Sequence, residues 1–143
     1  SGRRADLGGL DLRLGEFAGA RLDHAVLRGT NLERADLAGA SLKGADLRRA
    51  HIGYANLDGA QLDGADLRNV AAPGVRLRNA ALRSALLHEA RFDDALCEGA
   101  DFSGAQARMA SLKRADLSRA VLDAVRLEDV SLADANLTGA RLQ

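Results

Sequence analysis

Aromatic residues are nearly absent from this 143-residue chain, which has no Trp, one Tyr and three Phe. Any core must therefore be built from aliphatic side chains and alanine. A single cysteine excludes a disulfide framework, and nothing calls for an oxidising compartment. Net charge is lacking as well: twenty Lys and Arg face twenty Asp and Glu. That balance argues against a bulk polyanion binder, whose domain is usually strongly basic, so direct nucleic-acid binding is not expected. It argues equally against a strongly acidic imitation of nucleic acid. No apolar run approaches the roughly 18 residues of a membrane span, and no secretory signal is visible. No membrane insertion is expected, and a cytoplasmic protein is. The chain also begins without Met. Ser1-Gly2 reads as a tag scar, so residues 1–3 are expected outside the fold and residues 4–143 are expected to form one domain, excised from a longer protein.

What the chain has in abundance is period. Positions 7, 12, 17 and onward by fives make 28 sites, 21 of them Leu, with Phe17, Ile52, Ala72, Phe92, Cys97, Phe102 and Ala107 as exceptions. Two residues before each runs a second series of 28, from Ala5 to Ala140, with 21 Ala. Its exceptions are Leu10, Gly15, Thr30, Val70, Val75, Val125 and Val130; Leu10 stands out for size and Thr30 for polarity. A fixed internal repeat is the first thing to interpret in such a chain, because it dictates the architecture. Every residue in these two series is read as inward-facing. Cys97 occupies a Leu slot and is read as a small buried hydrophobe.

Ala and Leu favour helix, but the period overrules propensity. At about 100° per residue, a step of five turns each Leu by roughly 140° from the last, leaving no apolar face. Simple alternation fails too, since inward spacings run two, three, two, three. A spacing of two keeps Ala and Leu on one face of an extended piece, and a spacing of three needs a corner. The corner chemistry agrees. Gly stands two residues after the inward Leu-type site at 9, 19, 29, 39, 44, 59, 64, 74, 99, 104 and 139, where a type II turn needs positive φ, and Asn69 and Asn79 tolerate that conformation. The only proline lies in Ala72-Pro73-Gly74, with Pro and Gly at the favoured central turn positions, so residues 70–75 are a stiffened corner and not a linker.

Ala35-Asp36-Leu37, Ala45-Asp46-Leu47, Ala55-Asn56-Leu57, Ala65-Asp66-Leu67, Ala115-Asp116-Leu117 and Ala135-Asn136-Leu137 carry the motif A(D/N)LXX. On these residues the chain resembles the pentapeptide-repeat family from about residue 4 to its end. The resemblance implies an all-β fold, a right-handed quadrilateral parallel β-helix with four pentads, or 20 residues, per coil. Twenty-eight pentads then make about seven coils, a rod roughly 34 Å long at the usual strand spacing.

With 20 residues per coil, residues 20 apart stack along the rod. Ala72 then sits beneath Phe92, and Phe102 precedes Ala107, pairing large with small to preserve packing. The aromatics are therefore core filling. Outside, Arg28, Arg48, Arg68, His88 and Arg108 form one column, with Asp46 and Asp66 on the same face. This stripe is read as a candidate contact for an anionic or acidic partner. The face as a whole carries six basic and six acidic residues, so the stripe is local. The opposite face carries Glu16, Asp36, Asp58, Glu98 and Asp116, interrupted by Arg76, Arg78 and Arg119. Leu86 and Met109, on the stripe face, are read as a candidate apolar contact near Arg108.

Catalytic, cofactor and metal sites are not expected. His24, His51 and His88 fall on three different faces, Cys97 points inward, and the Gly-rich steps are corners and not a phosphate-cradling loop. The chain stops in frame at Leu142-Gln143 without a capping helix. Either further coils or domains flank it, or its ends associate with other copies, because open coils expose strand edges and Leu. The reading that follows is a non-catalytic rigid scaffold of a larger bacterial protein, binding an unidentified protein partner. The alternative implied by the resemblance is a DNA-mimicking binder of DNA gyrase of the quinolone-resistance type, which would need a sustained acidic surface.

Overall fold

The computed structural model describes residues 4–143, and the expected tag scar at residues 1–3 lies outside the described residues. Backbone hydrogen bonds dictate the coil. Parallel bridges join residues 20 apart without a break in step, from Asp6 with Val26 to Val121 with Arg141. Four bridge columns, beginning at Asp6, Asp11, Glu16 and Arg21, give each coil four sides. The extended piece expected on each side is shorter than a conventional strand. A single bridging residue stands between successive turns, because each turn already claims its neighbours.

One pentad shows how the amides are used. Asp46 N–H donates back to Ala25 C=O at 2.9 Å, while Leu47 N–H donates forward to Asp66 C=O at 2.8 Å. Arg49 N–H donates forward to Arg68 C=O at 3.1 Å, and Ala50 N–H closes the turn on Leu47 C=O at 3.0 Å. Only the amide just after Leu is left over, and buried or half-buried amides need acceptors. The Asp or Asn before Leu supplies one: Asp46 Oδ1 accepts from Arg48 N–H at 3.1 Å, and Asn56 Oδ1 from Asp58 N–H at 3.0 Å. This gives the D/N position of the motif a backbone task. At some pentads without that residue, an Asp of the preceding coil substitutes. Asp58 Oδ1 takes Arg78 N–H at 2.9 Å, and Asp63 Oδ1 takes Arg83 N–H at 2.9 Å. Pro73 follows Ala72 and Ala71, where no carboxylate stands before it, and proline has no amide to satisfy.

Every corner from residue 9 to residue 139 has its second central residue at positive φ. Eleven are Gly, but sixteen are not, and they include Arg49 (φ 59°), Tyr54 (57°) and Glu89 (58°) as well as the expected Asn69 and Asn79. An L-residue pays about 1–2 kcal/mol for this conformation. The ladder imposes it regardless, since the corner amide must reach the next coil and the following amide must close the turn.

Inward residues from Ala25 to Leu122 form one continuous buried cluster, each Leu contributing about 1.5–3 kcal/mol on burial. Thr30 is buried with it and donates its hydroxyl to Leu7 C=O at 2.7 Å, which resolves the one polar exception. Gly15 occupies an Ala slot because the Phe17 ring lies where its Cβ would project. Leu10, read as inward, is instead 46% exposed, since only one coil packs over it. Phe92, Phe102 and Ala107 help line an apolar cavity of about 10 Å³, too small for a ligand.

Candidate functional site

The arginine column is built by the same rule that satisfies the amides. Each Arg follows the inward Leu, so its backbone is held by the coil while its side chain runs along the face. Asp46, placed two residues before Arg48, then accepts a fork from the Arg48 guanidinium, Nε to Oδ1 at 2.9 Å and Nη2 to Oδ2 at 2.8 Å. Arg68 grips Asp66 in the same way at 2.9 and 2.6 Å. Arg28 reaches up to Asp46 Oδ2 at 3.2 Å, and Arg48 Nε lies 3.5 Å from Asp66 Oδ2. The result is a zipper in which three guanidiniums alternate with two carboxylates. Burial pushes the Asp66 carboxyl up, but the Arg68 hydrogen bonds outweigh it and hold the group below the usual carboxylate range.

Beside this zipper Arg28, Arg48, Arg49, Arg68 and Asn69 line an open groove of about 320 Å³. Arg49 makes no ion pair among the described residues. Sequence reasoning missed Arg49, because it sits at a corner where glycine was the expected chemistry. Four guanidiniums against Asp46 and Asp66 leave this stretch two charges positive.

The column changes character farther along. Leu86 and Gln106 stand where Asp46 and Asp66 stood, so neither the His88 nor the Arg108 amide has an acceptor among the described residues. His88, Glu89, Arg108 and Met109 line one groove there, and Arg108, Arg126, Glu128 and Asp129 help line the next. Met109 is 52% exposed at its corner, whereas Leu86 is half-buried on the side and is not a wall of the Met109 groove. Three of the acids of this face, Glu89, Glu128 and Asp129, thus lie beyond the zipper, while Asp46 and Asp66 are held within it.

On the opposite face several carboxylates are engaged by neighbouring groups. Asp58 accepts Arg76 Nη2 at 2.8 Å together with the Arg78 amide, Glu98 pairs with Arg119, and Asp116 Oδ1 accepts the Ser118 hydroxyl at 2.6 Å. At another corner the Arg34 guanidinium lies 5.0 Å from the centre of the exposed Tyr54 ring. His24, His51 and His88 lie on different columns, and among the described residues no group of His, Cys, Asp or Glu is arranged to hold a metal ion. Burial pushes the Cys97 thiol up to about 12, which keeps it protonated and poorly nucleophilic at neutral pH. Among the described residues no helix is long and apolar enough to cross a membrane.

Comparison with known proteins agrees with the pentad architecture. The profile of pentapeptide repeats matches residues 16–53, 34–69, 80–119 and 110–143. No curated protein sequence matches the chain. Among solved structures, a pentapeptide repeat protein of the Arabidopsis thaliana thylakoid lumen is 29% identical, with a TM-score of 0.53 over 73% of this chain and 66% of that one. This chain therefore spans just under two thirds of that relative. HetL, a pentapeptide repeat protein involved in heterocyst differentiation regulation in the cyanobacterium Nostoc, is 30% identical over 97% of this chain and 77% of its own, with a TM-score of 0.48. QnrB1, a plasmid-mediated fluoroquinolone resistance protein, is 20% identical over 93% of this chain and 80% of its own, with a TM-score of 0.53.

Proposed function

The chain belongs to the pentapeptide-repeat family, and on that premise we propose that residues 4–143 act as a non-catalytic scaffold that holds fixed columns of side chains against a protein partner. In this reading the domain is a right-handed quadrilateral β-helix of about seven coils, one module of a larger bacterial protein working in the cytoplasm. The observation that carries it is the immobilised row Arg28-Asp46-Arg48-Asp66-Arg68. Exposed ion pairs contribute only about 0–1 kcal/mol each, so the row adds little to a fold already held by its buried leucines. What it does is order charge at set heights on a rigid face, which lowers the entropy a partner must overcome on docking.

The DNA-mimicking alternative asks for a sustained acidic surface, and on the opposite face Asp58 and Glu98 are instead paired with Arg76, Arg78 and Arg119. The scaffold reading therefore stands first. Its test is a partner captured by crosslinking in bacterial extract, purified, and titrated against the pure protein. Arg48→Glu with Arg68→Glu should weaken binding at least about tenfold without changing the circular dichroism spectrum. Hydrolase or transferase activity in the pure protein, abolished by a single surface substitution, overturns it.

A further inference from the structure

Building on the scaffold reading, we propose that the groove lined by Arg28, Arg48, Arg49, Arg68 and Asn69 seats the phosphorylated side chain of a partner protein. Charge is the first argument. The four guanidiniums and two carboxylates leave two positive charges, and a phosphate monoester carries about −1.5 to −2 at neutral pH. A lone carboxylate brings about half to two thirds of that. The groove's neighbours across the corner are Gly29, Asn31, His51 and Ala71, none of them acidic. The positive stretch is also short, giving way at the next coil to Glu89, at the same corner as Asn69, and beyond it to Glu128 and Asp129. A polymer of phosphates needs a basic track that continues, whereas a compact dianion does not.

Geometry is the second argument. Asp46 and Asp66 take the Nε and Nη2 hydrogens of Arg48 and Arg68, which fixes each guanidinium plane and leaves its other edge free to donate. Successive coils rise about 4.8 Å, so one phosphoryl group accepts from two neighbouring forks at once. Arg49 and Asn69, one coil apart at the same corner, bring donors with no ion pair or side-chain hydrogen bond among the described residues. Arg side chains held this way lose little further freedom on binding, which is how arginine clusters recognise phosphate groups.

The test titrates the protein with O-phosphoserine, inorganic phosphate and serine, following the arginine Nε–H resonances. Saturable shifts confined to Arg28, Arg48, Arg49 and Arg68 are expected with the two phosphates and not with serine. Arg49→Gln keeps a similar backbone preference and should weaken phosphoserine binding about tenfold with an unchanged melting temperature. Immobilised protein should retain a degenerate phosphoserine peptide pool and release the same pool after phosphatase treatment. Absence of a saturable shift at millimolar ligand overturns the proposal. Shifts with inorganic phosphate but no peptide retention overturn the protein source and leave a free-phosphate site, and stronger retention of single-stranded DNA assigns the groove to nucleic acid. None of these failures touches the scaffold reading, which is measured with a captured partner. Loss of the scaffold reading through catalytic activity would leave the phosphoserine titration as it was.

Discussion

Leu57 and Leu137 occupy the same slot of the same repeat on the same side of the rod, yet Leu57 is fully buried and Leu137 is 39% exposed. The only difference is how many coils lie against them. Between Ala25 and Leu122 each inward residue is covered from both directions, while Leu7, Leu12, Phe17 and Leu22 at one end, and Leu127 and Leu132 at the other, are covered from one and only partly buried. Stability in a solenoid is a sum of coil terms and nearest-neighbour interfaces, so an identical pentad is worth less wherever one interface is missing. The arginine groove draws all its side chains from residues 28–69, inside the doubly covered stretch. Charges held there sit on the part of the molecule that opens least.

The sharpest way to break this comparison is to delete the same side chain in both settings. Leu57→Ala should cost about 3 kcal/mol and Leu137→Ala about 1 kcal/mol or less, measured by urea unfolding with circular dichroism and with thiol labelling of Cys97 as a reporter of the core. Equal losses would show that coil coverage does not govern stability. A smaller effect is expected at the corners. Gly59 (φ 69°) lies within the covered stretch with open space around its Cβ direction, so Gly59→Ala should cost about 1 kcal/mol from backbone strain alone. Ala124 (φ 57°) lies just beyond it, and Ala124→Gly should add roughly 0.5 kcal/mol, the strain relief being partly offset by unfolded-state entropy. A stabilising Gly59→Ala would contradict the account of the corners.

Acid should produce the smallest change until low pH. The Arg141 fork holds Asp123 below the usual carboxylate range, and Asp66 is held there by Arg68 against its burial. A depressed folded value means that the unfolded chain binds protons first, so this stabilisation is complete above about pH 4 and is lost as pH falls toward the folded values. The melting temperature should stay level from neutrality to about pH 5 and drop only below about pH 4. A drop centred near pH 6 would point to a histidine and refute the assignment.

Much of the fold was legible because the pentad alternates Ala and Leu at spacings that no helix or plain strand can accommodate. The stacking of Ala72 with Phe92, the corner at Pro73-Gly74 and the Arg48–Asp46 pairing all follow from counting by fives and twenties. Corners at Arg49, Tyr54, Glu89 and Met109 were not legible as such, since their intrinsic preference is against positive φ and only the ladder overrides it. Arg49 therefore entered the groove unannounced. The exchange of Gly15 for the Phe17 ring was hidden for a similar reason: the two residues compensate within one pentad, whereas the large-small pairs legible in the sequence lie between pentads. Of the stripe, sequence placed every member on one column. It did not show that Glu89, Glu128 and Asp129 lie beyond the zipper while Asp46 and Asp66 lie within it, because a face total of equal charge conceals their order.

Where the leftover amide of a pentad finds a carboxylate, it donates to one in either of two places, its own coil, as Asp46 serves Arg48, or the coil before, as Asp58 serves Arg78. Those two positions are far apart in sequence and adjacent in space. An acidic residue can therefore migrate sideways across a face, through two compensating substitutions, without leaving a backbone group unsatisfied. Surface charge on this rod is for that reason free to be rearranged by evolution while the frame beneath it stays the same.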